Sequence, residues 1–169
     1  MVKSSKRLVV GAFAVGSIAA IALSGGGAPV GAGNSASFHG VFTETASGSA
    51  LGYTIHGSAK MTIGADGTTA KINVSGLDPA KVCGSHLHNG TCASGGGGHY
   101  QDVVPGLVVP PNELWFTSSA GGLVPNPGGV AHGAGSATWQ ARVASSATNA
   151  RSVIVHEPGG ARIACADLS

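Results

Sequence analysis

The chain has 169 residues, enough for one domain with a core, and 43% of them are hydrophobic. Only 9% are charged while glycine occupies 29 positions, which excludes a charge-rich helical bundle and a disordered chain. Three of the nine basic residues lie at the N-terminus, and the remaining six nearly balance the seven acidic residues. Beyond that terminus there is no basic stripe and no nucleic-acid motif, so we expect no nucleic-acid partner.

Residues 1–33 have the pattern of an export signal. A basic start at residues 3–7 is followed by an uncharged apolar run from Leu8 to Leu23 and then by a small, Gly-rich stretch. The alternative is an uncleaved membrane anchor, for which the apolar run is somewhat short. We expect a bacterial protein that is secreted or held in the cell envelope or periplasmic space, with a domain over residues 34–169. Membrane contact is expected only through the N-terminal segment, if that segment stays uncleaved.

From residue 35 onward the pattern predicts short strands separated by turns. SFHGVFTET and YTIHGSAKMTI precede the hairpin signal GADG, after which TTAKINVSGL alternates Ala70, Ile72 and Val74 on one face. A fourth strand begins near Val82, and the series ends with ELWFTS, GSATWQARV, SVIVHE and RIACADL. About eight strands without helical periodicity predict an all-β sandwich or barrel.

The stretch 83–99, CGSHLHNGTCASGGGGH, concentrates residues that bind metals. His86 and His88 are two apart, so in an extended strand both imidazoles share a face and can chelate one ion. His99 follows four glycines, and His156 ends a later apolar strand; spacing makes their meeting with the pair a hypothesis. The lone histidines of other strands are not expected to bind metal: His39, His56 and His132.

Three cysteines in an exported protein predict one disulfide and one remaining thiol. Their spacing leaves the pairing open. Cys92 with Cys165 would connect the last strand to the loop after His88, whereas Cys83 with Cys92 would close only a local loop.

Large apolar residues of the second half divide into two groups. Trp115, Phe116 and Trp139 lie in strand-like segments and are expected in the core. The apolar loop from Leu107 to Pro111 is a candidate contact surface.

Together these motifs resemble those of the Cu/Zn superoxide dismutase family. HLH, a following Cys, GGH with an aromatic residue, VIVHE and GARIAC occur in the order of the family motifs HVHxxG, Cys, GxH, VVHE and GSRLAC. INVSGLDPAKVCGSHLH is also similar to the strand and loop before the family's first copper ligands. The resemblance covers roughly Lys60 to Leu168 and implies a Greek-key β-barrel of antiparallel strands, in agreement with the strand count.

Matched position by position, the resemblance implies four copper ligands: His86, His88, His99 and His156. His99 matches the histidine that bridges copper and zinc, and Arg162 matches the arginine beside copper that attracts superoxide. These two are the implied catalytic residues. The resemblance further implies a disulfide between Cys92 and Cys165, which leaves Cys83 as the extra thiol.

Two features depart from the family pattern. The family's zinc site needs two more histidines and an aspartate, but residues 100–155 offer few candidates: His132, Asp102 and Glu113. A family-type zinc site is therefore not expected. Four residues separate Glu157 from Arg162, where the family has a long charged loop, so we expect a copper site open to solvent. Both absences resemble the copper-only branch of the family.

Without zinc, the second ring nitrogen of His99 needs another partner. A carboxylate can orient such a ligand. Glu113 is our candidate for this role, and Asp102 is the alternative.

The resemblance implies an exported copper enzyme that converts superoxide to dioxygen and hydrogen peroxide while copper alternates between two oxidation states. His99 would be the ligand that moves. The alternative is a copper-binding envelope protein for storage, delivery or sequestration, which would use the same histidines. Arg162 favours the enzyme, because storage has no need of a charge that attracts an anion.

Overall fold

The structure is a computed structural model that describes residues 35–118, 120–143 and 149–169. The predicted export segment lies outside these ranges. Within them the chain forms seven strands, a helix α1 at Ala46–Ala50 and a 3-10 turn at Cys92–Ser94. The strands are β1 Ala36–Glu44, β2 His56–Gly64, β3 Gly67–Ser75, β4 Gly84–His88, β5 Ala131–Ala137, β6 Ser152–His156 and β7 Arg162–Asp167. No helix within these ranges is long and apolar enough to cross a bilayer.

The strands form one antiparallel sheet in the order β4-β6-β7-β1-β2-β3-β5. GADG closes the β2–β3 hairpin, with Gly64 opposite Gly67, as its sequence predicts. Ala70, Ile72 and Val74 are buried while the residues between them are exposed, so the alternation places one face of β3 on the core. The prediction of an all-β, antiparallel protein is confirmed.

A short segment, residues 114–117, touches both edges of this sheet. Trp115 pairs with His86 of β4, and Thr117 pairs with Ala134 of β5, each as an isolated bridge. The predicted strand ELWFTS is thus reduced to single bridges, because the segment pairs first with one edge and then with the other. The count of about eight strands is corrected to seven within the described ranges.

The structure corrects two expectations in this region: the burial of Trp115 and the extent of the strand predicted at GSATWQARV. Trp115 is 36% exposed rather than in the core, because it lies between the buried Leu114 and Phe116 and so points outward. Phe116 is in the core as predicted. β5 begins at Ala131 and ends before Trp139, which packs against the core at its edge and donates its indole N–H to the Pro111 carbonyl at 2.6 Å.

The apolar loop of residues 103–111 is exposed, and a single side chain organises it. The Asn112 amide accepts from the backbone N–H of Val103 at 2.9 Å and donates to the carbonyls of Val103 and Leu107 at 3.0 Å each. The polar backbone groups therefore turn inward toward Asn112. The loop presents its large apolar side chains to the outside: Val103, Val104, Leu107, Val108 and Val109.

Candidate metal site

Strand pairing brings three of the four histidines together. His86 and His88 lie on β4, and their rings stack with centroids 4.8 Å apart at an interplanar angle of 18°. In the β4–β6 register His156 is directly opposite Gly84, which makes it a diagonal neighbour of His86 on the same face. The His86 and His156 ring centroids are accordingly 4.6 Å apart.

The glycine-rich loop before His99 brings this fourth histidine to the other three. Gly96 has a φ of +86°, and a Cβ there would approach the Ile154 Cδ1 atom to 2.7 Å, so this position requires glycine. The loop turns back on β4, and the N–H of Asn89 donates to the Gly98 carbonyl at 3.0 Å. His99 consequently pairs opposite His88, with its ring centroid 3.8 Å from that of His86.

One ring nitrogen from each of these histidines lies within 4.8 Å of the others: His86, His88, His99 and His156. His86 is 7% exposed and His88 is fully buried, whereas the side chain of His99 is 33% exposed. This histidine cluster could hold a metal ion. Solvent reaches it at His99 and His156, which are both partly exposed.

Backbone carbonyls orient two of the rings. The Nδ1 atom of His88 lies 3.3 Å from the Gly97 carbonyl, and that of His156 lies 3.2 Å from the Gly160 carbonyl. Because a carbonyl only accepts, each Nδ1 carries the proton, and each Nε2 directs a lone pair toward the cluster.

A buried carboxylate orients the third ring. The Nδ1 atom of His99 lies 2.9 Å and 3.0 Å from the two Glu113 oxygens, and Glu113 is 2% exposed. The Trp115 indole donates to the same carboxylate at 2.7 Å, and the Gln101 amide lies 3.4 Å from it. The structure thus places Glu113 against His99, whereas the Asp102 backbone carbonyl accepts from Arg142 at 2.8 Å.

The sequence reasoning missed the contribution of Trp115. Its spacing of two from Glu113 was the available signal, because residues i and i+2 of an extended segment share a face. A buried or half-buried indole N–H also needs an acceptor, and a neighbouring carboxylate provides one.

Burial keeps the inner histidines neutral. Desolvation, followed by the charges of the neighbouring histidines and Arg162, lowers the pKa of His86 to about 2 and that of His88 to about 3. Desolvation also lowers the pKa of His156, although its bond to Gly160 opposes this. Neutral imidazoles are the form that binds metals, so these side chains are ready as ligands at neutral pH.

Two observations test whether a cation fits the cluster. The Nδ1 atom of His86 is buried and has no hydrogen-bond partner among the described residues. The Nε2 atoms of His88 and His156 lie 3.3 Å apart, and with both Nδ1 atoms protonated their lone pairs face each other. Both arrangements are unfavourable without a positive charge between the rings. A cation held by His86 Nδ1 and the Nε2 atoms of the other three satisfies all of them.

Arg162 lies next to the cluster. It pairs with His156 in the β6–β7 register, and its guanidinium donates to the carbonyls of Gly97, at 2.7 Å, and Gly95. The Gly97 carbonyl therefore contacts both Arg162 and His88. This shared acceptor places a fixed positive charge beside the histidine cluster.

The disulfide joins Cys92 to Cys165, with Cα atoms 5.6 Å apart. The predicted disulfide is confirmed, and the alternative pairing of Cys83 with Cys92 is wrong. Cys83 is a buried free thiol whose pKa is raised to about 11, chiefly by burial. The Asp167 carboxylate accepts from the Cys92 backbone N–H at 2.8 Å, so the 3-10 turn is tied twice to β7.

A polar triad supports the residue after His156. The Glu157 carboxylate accepts from the Tyr53 hydroxyl at 3.0 Å and from the Lys81 ammonium. The Lys81 contact, followed by the Tyr53 contact, lowers the pKa of Glu157. The sequence offered no sign of this triad, because its members lie on three separate segments.

The remaining histidines lie on exposed positions of β1, β2 and β5: His39, His56 and His132. The other close group of potential ligands among the described residues comprises Cys92, Cys165 and Asp167. Its two sulfur atoms are bonded to each other and do not serve as thiolates.

No protein-family model matches this chain, and no curated protein is significantly similar to it. The geometry of the histidine cluster and the motifs around it therefore carry what is proposed for the protein.

Proposed function

We propose that this chain is an exported, copper-dependent superoxide dismutase of the copper-only type, which converts superoxide to dioxygen and hydrogen peroxide. One observation carries the proposal. Four imidazoles converge from the motifs that resemble the dismutase family, and the Arg162 guanidinium is held beside them.

The ligand chemistry supports copper. Imidazole nitrogens suit copper as well as zinc, and a four-nitrogen set is typical of tetragonal Cu(II). His86 would bind through Nδ1, and the other three through Nε2. Bound copper would supply the one-electron oxidation and reduction that dismutation requires.

The surroundings of His99 support a site without zinc. In the family, the second nitrogen of the matching histidine binds zinc, but here that atom faces the buried Glu113 carboxylate. The carboxylate holds a proton on Nδ1 of His99, so Nε2 would be the atom of this residue that binds the metal or carries a proton. His99 is also partly exposed, so protons from water can reach it.

Arg162 would attract the substrate. Its guanidinium is positively charged, and two carbonyls fix its position. A fixed cation beside the metal favours a small anion there over neutral molecules.

Features away from the cluster support the same proposal. The chain crosses between distant strands of the sheet after β3, after β4 and after β5, and such crossings are expected in a Greek-key barrel. The disulfide supports an oxidising compartment and hence export.

The proposal is tested by loading the purified protein with copper and zinc together and then measuring bound metal and superoxide dismutation. We expect one copper per chain, no retained zinc and catalytic turnover. Tightly held stoichiometric zinc would contradict the copper-only assignment.

Arg162→Glu separates the enzyme from the copper-binding alternative. We expect this substitution to retain copper and to lower dismutation by about tenfold or more, because it reverses the charge that attracts the substrate. Arg142→Glu is the matched control, since it makes the same change at an exposed site where Arg142 contacts the Asp102 carbonyl. Equal activity in both variants would favour storage, delivery or sequestration of copper.

A further inference from the structure

A row of basic side chains crosses the exposed face of β1, β2 and β3, strands that carry none of the four clustered histidines. Lys60 on β2 is directly opposite Lys71 on β3, and His39 on β1 is directly opposite Lys60. All three are exposed. Like charges on directly opposite residues destabilise an antiparallel pair, so the position of the two lysines costs stability.

No acidic residue compensates these two charges. All seven acidic residues lie in the described ranges, and none of them forms an ion pair with Lys60 or Lys71. Three other basic residues do have partners: Lys81 bonds to Glu157, Arg142 to the Asp102 carbonyl and Arg162 to the Gly97 carbonyl. Lys60 and Lys71 have no such partner among the described residues, although they lie directly opposite each other.

Both lysines line an open groove of about 900 Å³ between β2, β3, β5 and the segment that follows residue 116. No carboxylate lines the described part of this groove. Its other polar lining includes Ser58, Asn73 and Thr117, whose side chains form no hydrogen bond to any described residue. Val124 and Val130 add apolar contacts. The groove is of the size that proteins use for small molecules and is much larger than a single oxyanion.

We propose that this groove, the Lys60–Lys71 groove, binds a phosphorylated ligand of sugar size. The phosphate would lie between the two ammonium groups, where charge-assisted hydrogen bonds from both are available. The free amide and hydroxyl side chains match sugar hydroxyls, and the apolar lining matches the face of a sugar ring. None of the four clustered histidines lines the groove, and the proposal does not depend on the proposed dismutase activity.

Isothermal titration of the purified protein with glucose 6-phosphate, inorganic phosphate and glucose at low salt tests the proposal. We expect glucose 6-phosphate to bind more tightly than phosphate, and glucose not to bind measurably. We also expect the affinity to fall as the salt concentration is raised, because exposed charges are screened. Equal affinities for phosphate and glucose 6-phosphate would overturn the assignment of a sugar. Failure of both to bind would overturn the site.

Substitutions then locate the binding. The double variant Lys60→Gln with Lys71→Gln is expected to bind glucose 6-phosphate about tenfold or more weakly, because it loses both charged donors. The matched double variant with arginine at both positions keeps the charges and should bind within a few fold of the original. Unchanged affinity in the glutamine variant would overturn the proposal.

Two controls test where the anion binds and whether the two lysines contribute to the stability of the fold. An anion could instead bind beside the histidine cluster, so binding lost in Arg162→Gln but kept in the glutamine double variant would overturn the groove assignment. The glutamine variant should also melt at a higher temperature than the original chain, because removing the facing charges relieves their repulsion. A lower melting temperature would show that the lysines stabilise the sheet and would count against the proposal.

Discussion

The outer nitrogen of each imidazole determines how that ring faces the centre of the cluster. Gly97, Gly160 and Glu113 each accept a hydrogen bond from one histidine, and these contacts direct three Nε2 atoms inward. His86 has no such partner among the described residues, so its buried Nδ1 atom is available to a metal ion. The donor set therefore comprises three Nε2 atoms and one Nδ1 atom.

Glu113 is the residue whose change should affect metal binding most selectively. Glu113→Gln keeps the size of the side chain but removes the charge that holds the proton on His99. Because loss of such a supporting contact weakens a metal site, we expect copper affinity to fall by roughly 10- to 100-fold. Competition with a chelator of known copper affinity measures this change.

Asp102→Asn provides the comparison for that measurement. It removes the same charge close by in sequence, but Glu113 is the carboxylate that contacts His99. We expect its copper affinity to match that of the original chain. If both variants bind copper equally well, Glu113 does not orient the ligand.

At the scale of elements, the glycine-rich loop between β4 and His99 connects the histidine cluster to β7. The disulfide joins the 3-10 turn in this loop to Cys165, and Asp167 bonds to the same turn. The Gly97 carbonyl in this loop contacts His88 and Arg162. Fixing the loop therefore fixes two side chains of the site together.

Removing the disulfide should destabilise the whole domain. The bridge spans 73 residues of sequence, and in the chain-entropy model a loop of that length contributes about 4 kcal/mol. We expect the double variant Cys92→Ala with Cys165→Ala to lose about this much free energy of unfolding. Urea denaturation under non-reducing conditions measures the loss.

Cys83→Ala is the matched control, because it also removes a buried sulfur but leaves the bridge intact. Its loss of free energy of unfolding should be about 1 kcal/mol, as for a small buried truncation. A reducing agent should destabilise this variant but not the double variant. Equal losses in both would show that the bridge itself adds little.

At the scale of the whole molecule, burying a cluster of histidines makes stability depend on pH. In the metal-free protein the pKa of His86 is about 2 and that of His88 about 3, whereas in an unfolded chain a histidine has a pKa of about 6.5. Below pH 6.5 the unfolded chain takes up protons that the folded chain does not. The contribution of these two histidines to the free energy of unfolding is thus fully present above pH 6.5 and falls as the pH is lowered toward 3.

Each of the two groups contributes a slope of up to about 1.4 kcal/mol per pH unit in that window. Urea denaturation of the metal-free protein between about pH 7 and pH 4.5 measures it. His88→Gln should flatten the dependence, whereas His39→Gln, at an exposed position on β1, should leave it unchanged. A stability that does not vary over this range would contradict the prediction.

Local patterns in the sequence determined much of the fold and part of the site. Alternation of apolar residues predicted β2 and β3, GADG predicted their hairpin, and the spacing of His86 and His88 predicted a shared face. The order of the motifs singled out the other histidines and Arg162. These features depend on residues a few positions apart, so strand geometry translates them directly into structure.

Only the tertiary structure decided which distant groups meet. It selected Cys92–Cys165 over the local pairing, Glu113 over Asp102 as the neighbour of His99, and an outward position for Trp115. It also placed Lys60 and Lys71 opposite each other without an acidic partner. Strand order and register set these contacts, and both follow from packing the whole sheet rather than from any local spacing.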